Sequence, residues 1–375
     1  MKITRIRGYK PSKLNPNFNQ SDLIVTVETD AGIVGIADGG SPDMLAQAAG
    51  MLIGEDPGRI QHLWQAMYRG YFYPAGREKL HALGALDIAL WDIKGKSLGV
   101  PIHEILGGLT RDYVECYSTG FPWQGSLTQT AQACIAAGFR AFRTAVADPS
   151  DRVFDVRRMV QRTVEQCEQI AVGVGPTGDW SIDFHTRLDG PDAVRLANLI
   201  EPLNPLFVED PLRSENPEAL AMLRAQVRVP IAVGEQFGDR WDINTLIERQ
   251  LIDYTRVTLP NVGGITEWIK IAAICETHYI GMIPHFTGPI ALAALVHTLG
   301  TFPGPVLMEV RGDGPKLPPH LAVGCEFRNG KLWPVSRPGL GVEFDPAGAE
   351  LIVEVCDHSA PIPTFRRPDG SFTNW

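Results

Sequence analysis

Three acids, Asp183, Glu209 and Glu235, follow one another at a constant step of 26 residues, each closing a short apolar run: "SIDFH", "LFVED" and "IAVGEQ". A step of that length is one strand, one helix and their loops. Three such units would set the acids at equivalent ends of neighbouring strands. Carboxylates crowded in a low-dielectric mouth repel, and a proton or a cation must relieve the repulsion. All-oxygen ligation favours a hard ion, Mg²⁺ over Zn²⁺, with positions left for water or a substrate carboxylate. Any one of these acids alone reads better as a salt-bridge partner or helix N-cap; the shared register is what favours a metal. Asp210 adjoins Glu209, and the sequence leaves open which of the two faces inward.

Two histidines fall near these acids. His185 stands two residues after Asp183, so on a continuing strand it shares that residue's face. His285, in "IPHF" at the end of a later run, would approach from the opposite side. Imidazoles titrate near neutral pH and suit an acid and base pair acting on a bound carboxylic acid, although either one alone also reads as a core histidine. His278 and His297 fall on helical stretches and take the ordinary reading. Glu309, closing "VLMEV", is a further inward group that would hydrogen-bond a developing enolate oxygen if protonated.

The elements that must position these groups recur from residue 113 onward. Eight short runs, "YVECYSTG", "FRAFRTAV", "SIDFH", "LFVED", "IAVGEQ", "YTRVTL", "IGMIPHF" and "VLMEV", read as strands buried on both faces. Between them lie helical stretches. "SLTQTAQACIAAG" runs from a Ser126 N-cap to Gly138, and "NPEALAMLRAQ" has Asn216 as N-cap and Pro217 at the first helical position. "GGITEWIKIAAICETH" and "GPIALAALVHTLG" are of the same kind. Repeated strand and helix units with right-handed crossovers close into a (β/α)₈-type barrel; a doubly wound open sheet would call for a glycine-rich phosphate turn, which is missing here. Residues 1–112 break the period. "LIVTVETDAGIVGIADGG" reads as an antiparallel hairpin and "EKLHALGALDIALWDIKGKSLG" as an amphipathic helix closed by Gly99, an α+β module ahead of the barrel. The barrel is expected over 113–315, and the Pro- and Gly-rich segment 316–375 is expected to return to the first module.

Composition narrows the classes. With 375 residues, 44% hydrophobic and 21% charged, the chain is that of a soluble globular protein. Its net charge of −9 and the lack of any long Lys or Arg run argue against a nucleic-acid partner. "MKITRIRGYK" has no apolar stretch behind it to make a secretory signal, and no run approaches the roughly 20 apolar residues of a membrane helix. Six scattered cysteines without a CxxC pair read as reduced thiols in a cytoplasmic protein.

The assembled pattern resembles the enolase superfamily, in its mandelate racemase-like group, and within it the sugar-acid dehydratases of galactonate type. The resemblance spans nearly the whole chain and rests on "ALDIALWDIKGKSLGVPIHEILGG", "DFH", "VEDP", "VGEQ", "NVGGITE", "PHF" and "DGSFTNW", each weak alone and specific together. It implies an α/β fold, a (β/α)₇β TIM-type barrel with an α+β capping domain, holding Mg²⁺ on Asp183, Glu209 and Glu235. It further implies that His285 abstracts the proton α to a carboxylate, that His185 is the acid for the departing β-hydroxyl, and that a 2-keto-3-deoxy acid results. A hydro-lyase acting on an aldonate-like sugar acid, assembled as a homo-oligomer, is the expectation. An epimerase or lactonising relative, or a silent binding relative, is the alternative.

Two positions depart from the family pattern. Racemases and lactonising relatives carry a KxK-type lysine base on the second strand, where "AFRTAV" offers Arg143 and Ala145. An aspartate usually stands on the sixth strand beside the histidine matching His285; Thr258 stands there instead, removing the charge that raises the basicity of the imidazole. Mannonate dehydratase-like members also differ at this strand and take a tyrosine and an arginine from the second-strand region. Arg143 fits that arrangement, without a tyrosine close by. Arg143 and Thr258 are therefore candidate substrate contacts. Stereochemistry is expected to be read by the cap loops "KPSKLNPNFNQ" and "RGYFYPAGREK".

Overall fold

The structure, a computed structural model, describes residues 1–11, 23–149, 151–322 and 324–373. Strands β1 (Ile3–Pro11), β2 (Ile24–Thr29) and β3 (Val34–Asp38) form an antiparallel sheet. The β2–β3 hairpin turns through Gly32, whose φ of 73° is the left-handed conformation that favours glycine. Helices α1 (Pro42–Gly50), α2 (Ile60–Arg69) and α3 (Arg77–Leu98) follow, α3 closing on Gly99.

The expected amphipathic character of α3 gives way to burial on most of its circumference, because the helix lies between the cap sheet and the barrel. Two glycines permit this. A Cβ on Gly35 of β3 would meet the Ala89 carbonyl oxygen at 2.1 Å, and one on Gly84 would meet that of Pro260 at 2.1 Å.

After the short α4 (Ile102–Ile105) come eight parallel strands: β4 (Val114–Thr119), β5 (Ala141–Ala145), β6 (Asp179–Asp183), β7 (Val208–Glu209), β8 (Ile231–Val233), β9 (Tyr254–Thr255), β10 (Gly281–Met282) and β11 (Met308–Arg311). They pair in sequence, β11 pairs with β4, and a parallel bridge between Met282 and Val306 closes the ring. All eight apolar runs of the sequence supply a strand.

The helices between them are α5 (Leu127–Ala136), α6 (Val156–Val174), α7 (Gly190–Ile200), α8 (Ala219–Arg224), α9 (Arg240–Glu248), α10 (Ile265–Thr277) and α11 (Pro289–Thr301). Among the described residues no α-helix follows β11, so the barrel is (β/α)₇β rather than eightfold, as the family resemblance implied. Ser126 caps α5 by accepting from the Gln129 N–H. Helix α8 begins later than Asn216. The Ala219 and Leu220 N–H groups donate to the Asn216 and Pro217 carbonyls at 3.1 Å, a tighter turn that precedes the helix proper.

Tyr117, Ala141, Phe207, Ala232, Ile283 and Leu307 fill the barrel interior. The cap docks over the C-terminal ends of the strands, where the following helices begin. Asp38, at the end of β3, accepts from the Ile290 and Ala291 N–H groups at 3.0 Å, and Asp87 of α3 accepts from the Thr266 N–H at 2.9 Å. Each buried carboxylate thereby meets the positive end of a barrel helix.

The chain then forms β12 (Leu321–Ala322), β13 (Cys325–Arg328), β14 (Lys331–Pro334), β15 (Glu343–Phe344) and β16 (Ala349–Val355). β16 pairs antiparallel with β1 and completes the cap sheet. The β13–β14 hairpin instead pairs with the start of β4, at the opposite end of the barrel from the cap. No described helix is long and apolar enough to cross a membrane. The six cysteines are all free, four of them buried and Cys356 exposed.

Candidate active site

Glu209 ends β7 directly opposite Asp183, which ends β6. Glu235 lies three residues beyond Ala232, the partner of Glu209 on β8. The constant step of the sequence is therefore not a constant register; the loop after β8 carries the third acid to the others. Carboxylate oxygens of Glu209, Asp210 and Glu235 lie within 4.8 Å of one another. Asp210 has a φ of 37°, so the chain kinks at the end of β7 and adjacent acids turn to the same side. Burial, together with Glu235 and Glu209, pushes the Asp210 carboxyl well above its ordinary pKa.

Both Asp210 oxygens are buried and have no hydrogen-bond partner among the described residues. An all-oxygen cluster with two orphaned acceptors is a fit for a hard divalent cation. Asp183 joins the cluster through Arg143 rather than by direct convergence. The Arg143 Nη2 contacts Asp183 and lies 2.6 Å from Glu209 Oε1. Burial and the nearby Glu209 raise the Asp183 carboxyl well above its usual pKa. Arg143, as the structure has it, is committed to these acids.

Arg256, at the end of β9, is the second internal cation and is fully buried. Its Nη2 lies 3.0 Å from Glu209, 3.2 Å from Glu235 and 2.7 Å from Glu309, and its Nη1 contacts the Tyr117 hydroxyl. Burial opposes charge on the guanidinium, but Glu209, Glu309 and Glu235 outweigh it and keep the group protonated.

Glu309 accepts from Thr119 Oγ1 at 2.6 Å, from Arg256, and from the Phe286 N–H at 3.2 Å. Burial raises its pKa, yet Arg256, His285 and Arg143 hold it far below the carboxylate range. The expectation of a protonated, donating Glu309 gives way to an ionised anchor for Arg256.

The histidines are placed differently from each other. His285 is buried, with Nε2 3.5 Å from Glu235 Oε2. For Glu235, His285 and Arg256 together outweigh burial and pull the carboxyl below its ordinary pKa. Neither His285 Nδ1 nor Thr258 Oγ1, both buried, has a hydrogen-bond partner among the described residues. Thr258 therefore does not orient the imidazole as an aspartate would. β6 ends at Asp183, so strand alternation stops short of His185. His185 and Thr186 have φ of 47° and 56°, and the His185 N–H turns back to Asp183 Oδ1 at 2.5 Å. The His185 side chain is exposed at the mouth.

Residues 13–107 match the mandelate racemase / muconate lactonizing enzyme N-terminal domain, and residues 126–348 match the enolase C-terminal domain-like family. The chain belongs to the mandelate racemase / muconate lactonizing enzyme family. It is 36% identical to a D-galactonate dehydratase of Xanthomonas oryzae pv. oryzae, over 100% of both chains. An enolase of Pantoea ananatis with bound D-gluconate and Mg is 25% identical, with a TM-score of 0.82 over 92% of this chain and 93% of that one. A member of the enolase superfamily from Salmonella Typhimurium shares the fold, with a TM-score of 0.87 over 94% of this chain and 99% of that one at 24% identity.

Within this family member the sequence reading missed Arg256. The one signal was an arginine inside the apolar run "YTRVTL", two residues from Tyr254 and from Thr258 and so on their face. Of the two cap loops, residues 12–20 of the first lie outside the described residues, as do Asn374 and Trp375 of the closing motif. In the second loop Phe72 and Tyr73 are exposed, while the Lys79 ammonium sits 3.3 Å from the centre of the Tyr71 ring.

Proposed function

We propose that the protein is a Mg²⁺-dependent dehydratase of a galactonate-like sugar acid, converting it to a 2-keto-3-deoxy acid and water. The observation that carries this reading is the convergence of Glu209, Asp210 and Glu235 beside the buried His285. Dehydratase relatives that align over the whole chain support it.

Asp183, Glu209 and Glu235, with Asp210 beside them, would hold the cation. When bound, it supplies positive charge that stabilises the charge developing on the substrate carboxylate as the α-proton leaves. His285 takes the proton from C2. The electron pair left behind forms the C2–C3 double bond, and the C3 hydroxyl departs as water with a proton from His185. The enol so formed ketonises at C2. Arg256, pinned by Glu309, keeps a fixed positive charge at the floor of the mouth, and Arg143 does the same beside Asp183. No lysine faces His285 from the second strand to return a proton to the opposite side, which favours elimination over racemisation.

The unpartnered His285 Nδ1 favours one second reading, a relative that binds the acid without turning it over. The protein is expected to act in the cytoplasm as a homo-oligomer.

The test is keto-acid formation from galactonate and related aldonates by the wild type, by His285→Asn and by His185→Asn. Each substitution is expected to lower kcat by roughly 10²–10⁴-fold. Activity surviving both substitutions together would overturn the assignment. Tight binding without product in the wild type would select the second reading, and deuterium exchange into recovered substrate without keto acid would indicate an epimerase.

A further inference from the structure

A cavity of about 1020 Å³ opens between the cap and the end of β11, with Ile24 and Asp38 on the cap side and Thr119, Glu309, Arg311 and His320 on the other. It shares Glu309 and Thr119 with the floor of the active site and is large enough for a sugar acid. Most of the acids on its wall are engaged. Asp38 caps α11, Glu309 holds Arg256 and Thr119, and Asp345 accepts from the Ala347 N–H at 3.0 Å. Asp313 faces Lys316 at 3.9 Å.

Arg311 differs from the other arginines of the mouth. Arg143 and Arg256 are locked between carboxylates, and Arg187 pairs with Asp148. Arg311 has no ion-pair or hydrogen-bond partner among the described residues; its guanidinium rests 5.2 Å from the centre of the Phe286 ring. It stands two residues after Glu309 on β11, hence on the same face and about 6.6 Å further along the strand. That places it outward of Glu309, in the wall of the cavity that adjoins the floor of the mouth. His320 adds a buried Nε2 without a hydrogen-bond partner among the described residues.

We propose that this cavity is the subsite for the far end of the substrate, where Arg311 reads a second carboxylate, so that the site accepts six-carbon sugar di-acids as well as mono-acids. The inference rests on the sugar-acid reading above. A guanidinium presents paired donors that match a carboxylate, and Arg311 is free to offer them. A terminal hydroxymethyl group would leave that charge unmatched.

The test uses the full-length protein with Mg²⁺ and matched pairs of probes, galactonate with galactarate and gluconate with glucarate. The quantity read is kcat/KM for the di-acid divided by that for its mono-acid. Arg311→Met is expected to lower this ratio roughly 10- to 100-fold, the loss of a charge-assisted contact, and Arg311→Lys to lower it less. An unchanged ratio in Arg311→Met overturns the proposal. So does a wild type that dehydrates mono-acids while di-acids are neither substrates nor inhibitors. If no sugar acid of either kind is dehydrated, the dehydratase reading fails by itself. Calorimetric binding of galactarate then decides the subsite: binding weakened in Arg311→Met supports it, and equal or undetectable binding in both proteins overturns it.

Discussion

Arg256 Nη2 lies 2.7 Å from Glu309 Oε2 with neither side chain exposed, and the same nitrogen reaches Glu209 and Glu235. One guanidinium thus balances three carboxylates in the barrel mouth. Breaking a buried ion pair by removing one partner leaves uncompensated charge and typically costs about 3–5 kcal/mol. Arg256→Met should therefore lower the melting temperature markedly. Added Mg²⁺ should restore more of that loss than it adds to the wild type, because it supplies the missing charge. Thermal denaturation with and without Mg²⁺ checks both statements.

Asp210 distinguishes a three-acid site from one that also draws on its neighbour. Its two oxygens are buried without hydrogen-bond partners among the described residues, so Asp210→Asn breaks no observed contact. If Asp210 supports the cation, this variant binds Mg²⁺ roughly 10- to 100-fold more weakly by calorimetry, as loss of even an outer partner commonly does. Affinity equal to the wild type would remove Asp210 from the site.

Thr258 offers a nearly neutral comparison. Its hydroxyl is buried without a partner among the described residues, so Thr258→Val removes an unsatisfied group and keeps the shape. Stability should hold or rise, and kcat for the aldonate should stay within a few-fold of wild type. A loss above roughly 10²-fold would mean that Thr258 positions His285 after all.

A second histidine pair, remote from the acids, makes stability depend on pH. His103 and His297 meet Nδ1 to Nδ1 at 2.8 Å in the buried contact between α4 and α11. Such a contact needs one donor and one acceptor, so at least one of the two rings is neutral. Burial, with the neighbouring His103, lowers His297 to about 3. A folded-state pKa below the unfolded value means that the unfolded chain takes the proton first. Stability is then complete above about pH 6.5 and declines as the pH falls towards 3, by up to about 1.4 kcal/mol per unit for one proton. Urea denaturation at pH 7.5 and pH 5.5 should show this decline, and it should be smaller in His297→Leu.

Much of this was legible in the chain because a parallel barrel writes itself as a period. The runs from "YVECYSTG" to "VLMEV" each became a strand, and "SLTQTAQACIAAG" became α5 with its Ser126 cap. What the period could not carry was local backbone conformation at the strand ends. The left-handed φ values at His185 and Asp210 redirect side chains in ways that alternation does not anticipate. Nor does a local pattern reveal Arg256, whose partners Glu209, Glu235 and Glu309 come from β7, the loop after β8, and β11. The β13–β14 hairpin, which pairs with the start of β4, was hidden for the same reason: its partner lies more than two hundred residues away in sequence.

The most direct measurement is a screen of five- and six-carbon sugar acids against the purified protein, with Mg²⁺ and after chelation, reading 2-keto-3-deoxy product as its semicarbazone. Product from at least one aldonate, abolished by chelation and restored by Mg²⁺, is the expected result. Product that forms equally well after chelation would contradict the metal assignment, and a protein that binds sugar acids yet forms no keto acid from any of them would contradict the dehydratase assignment itself.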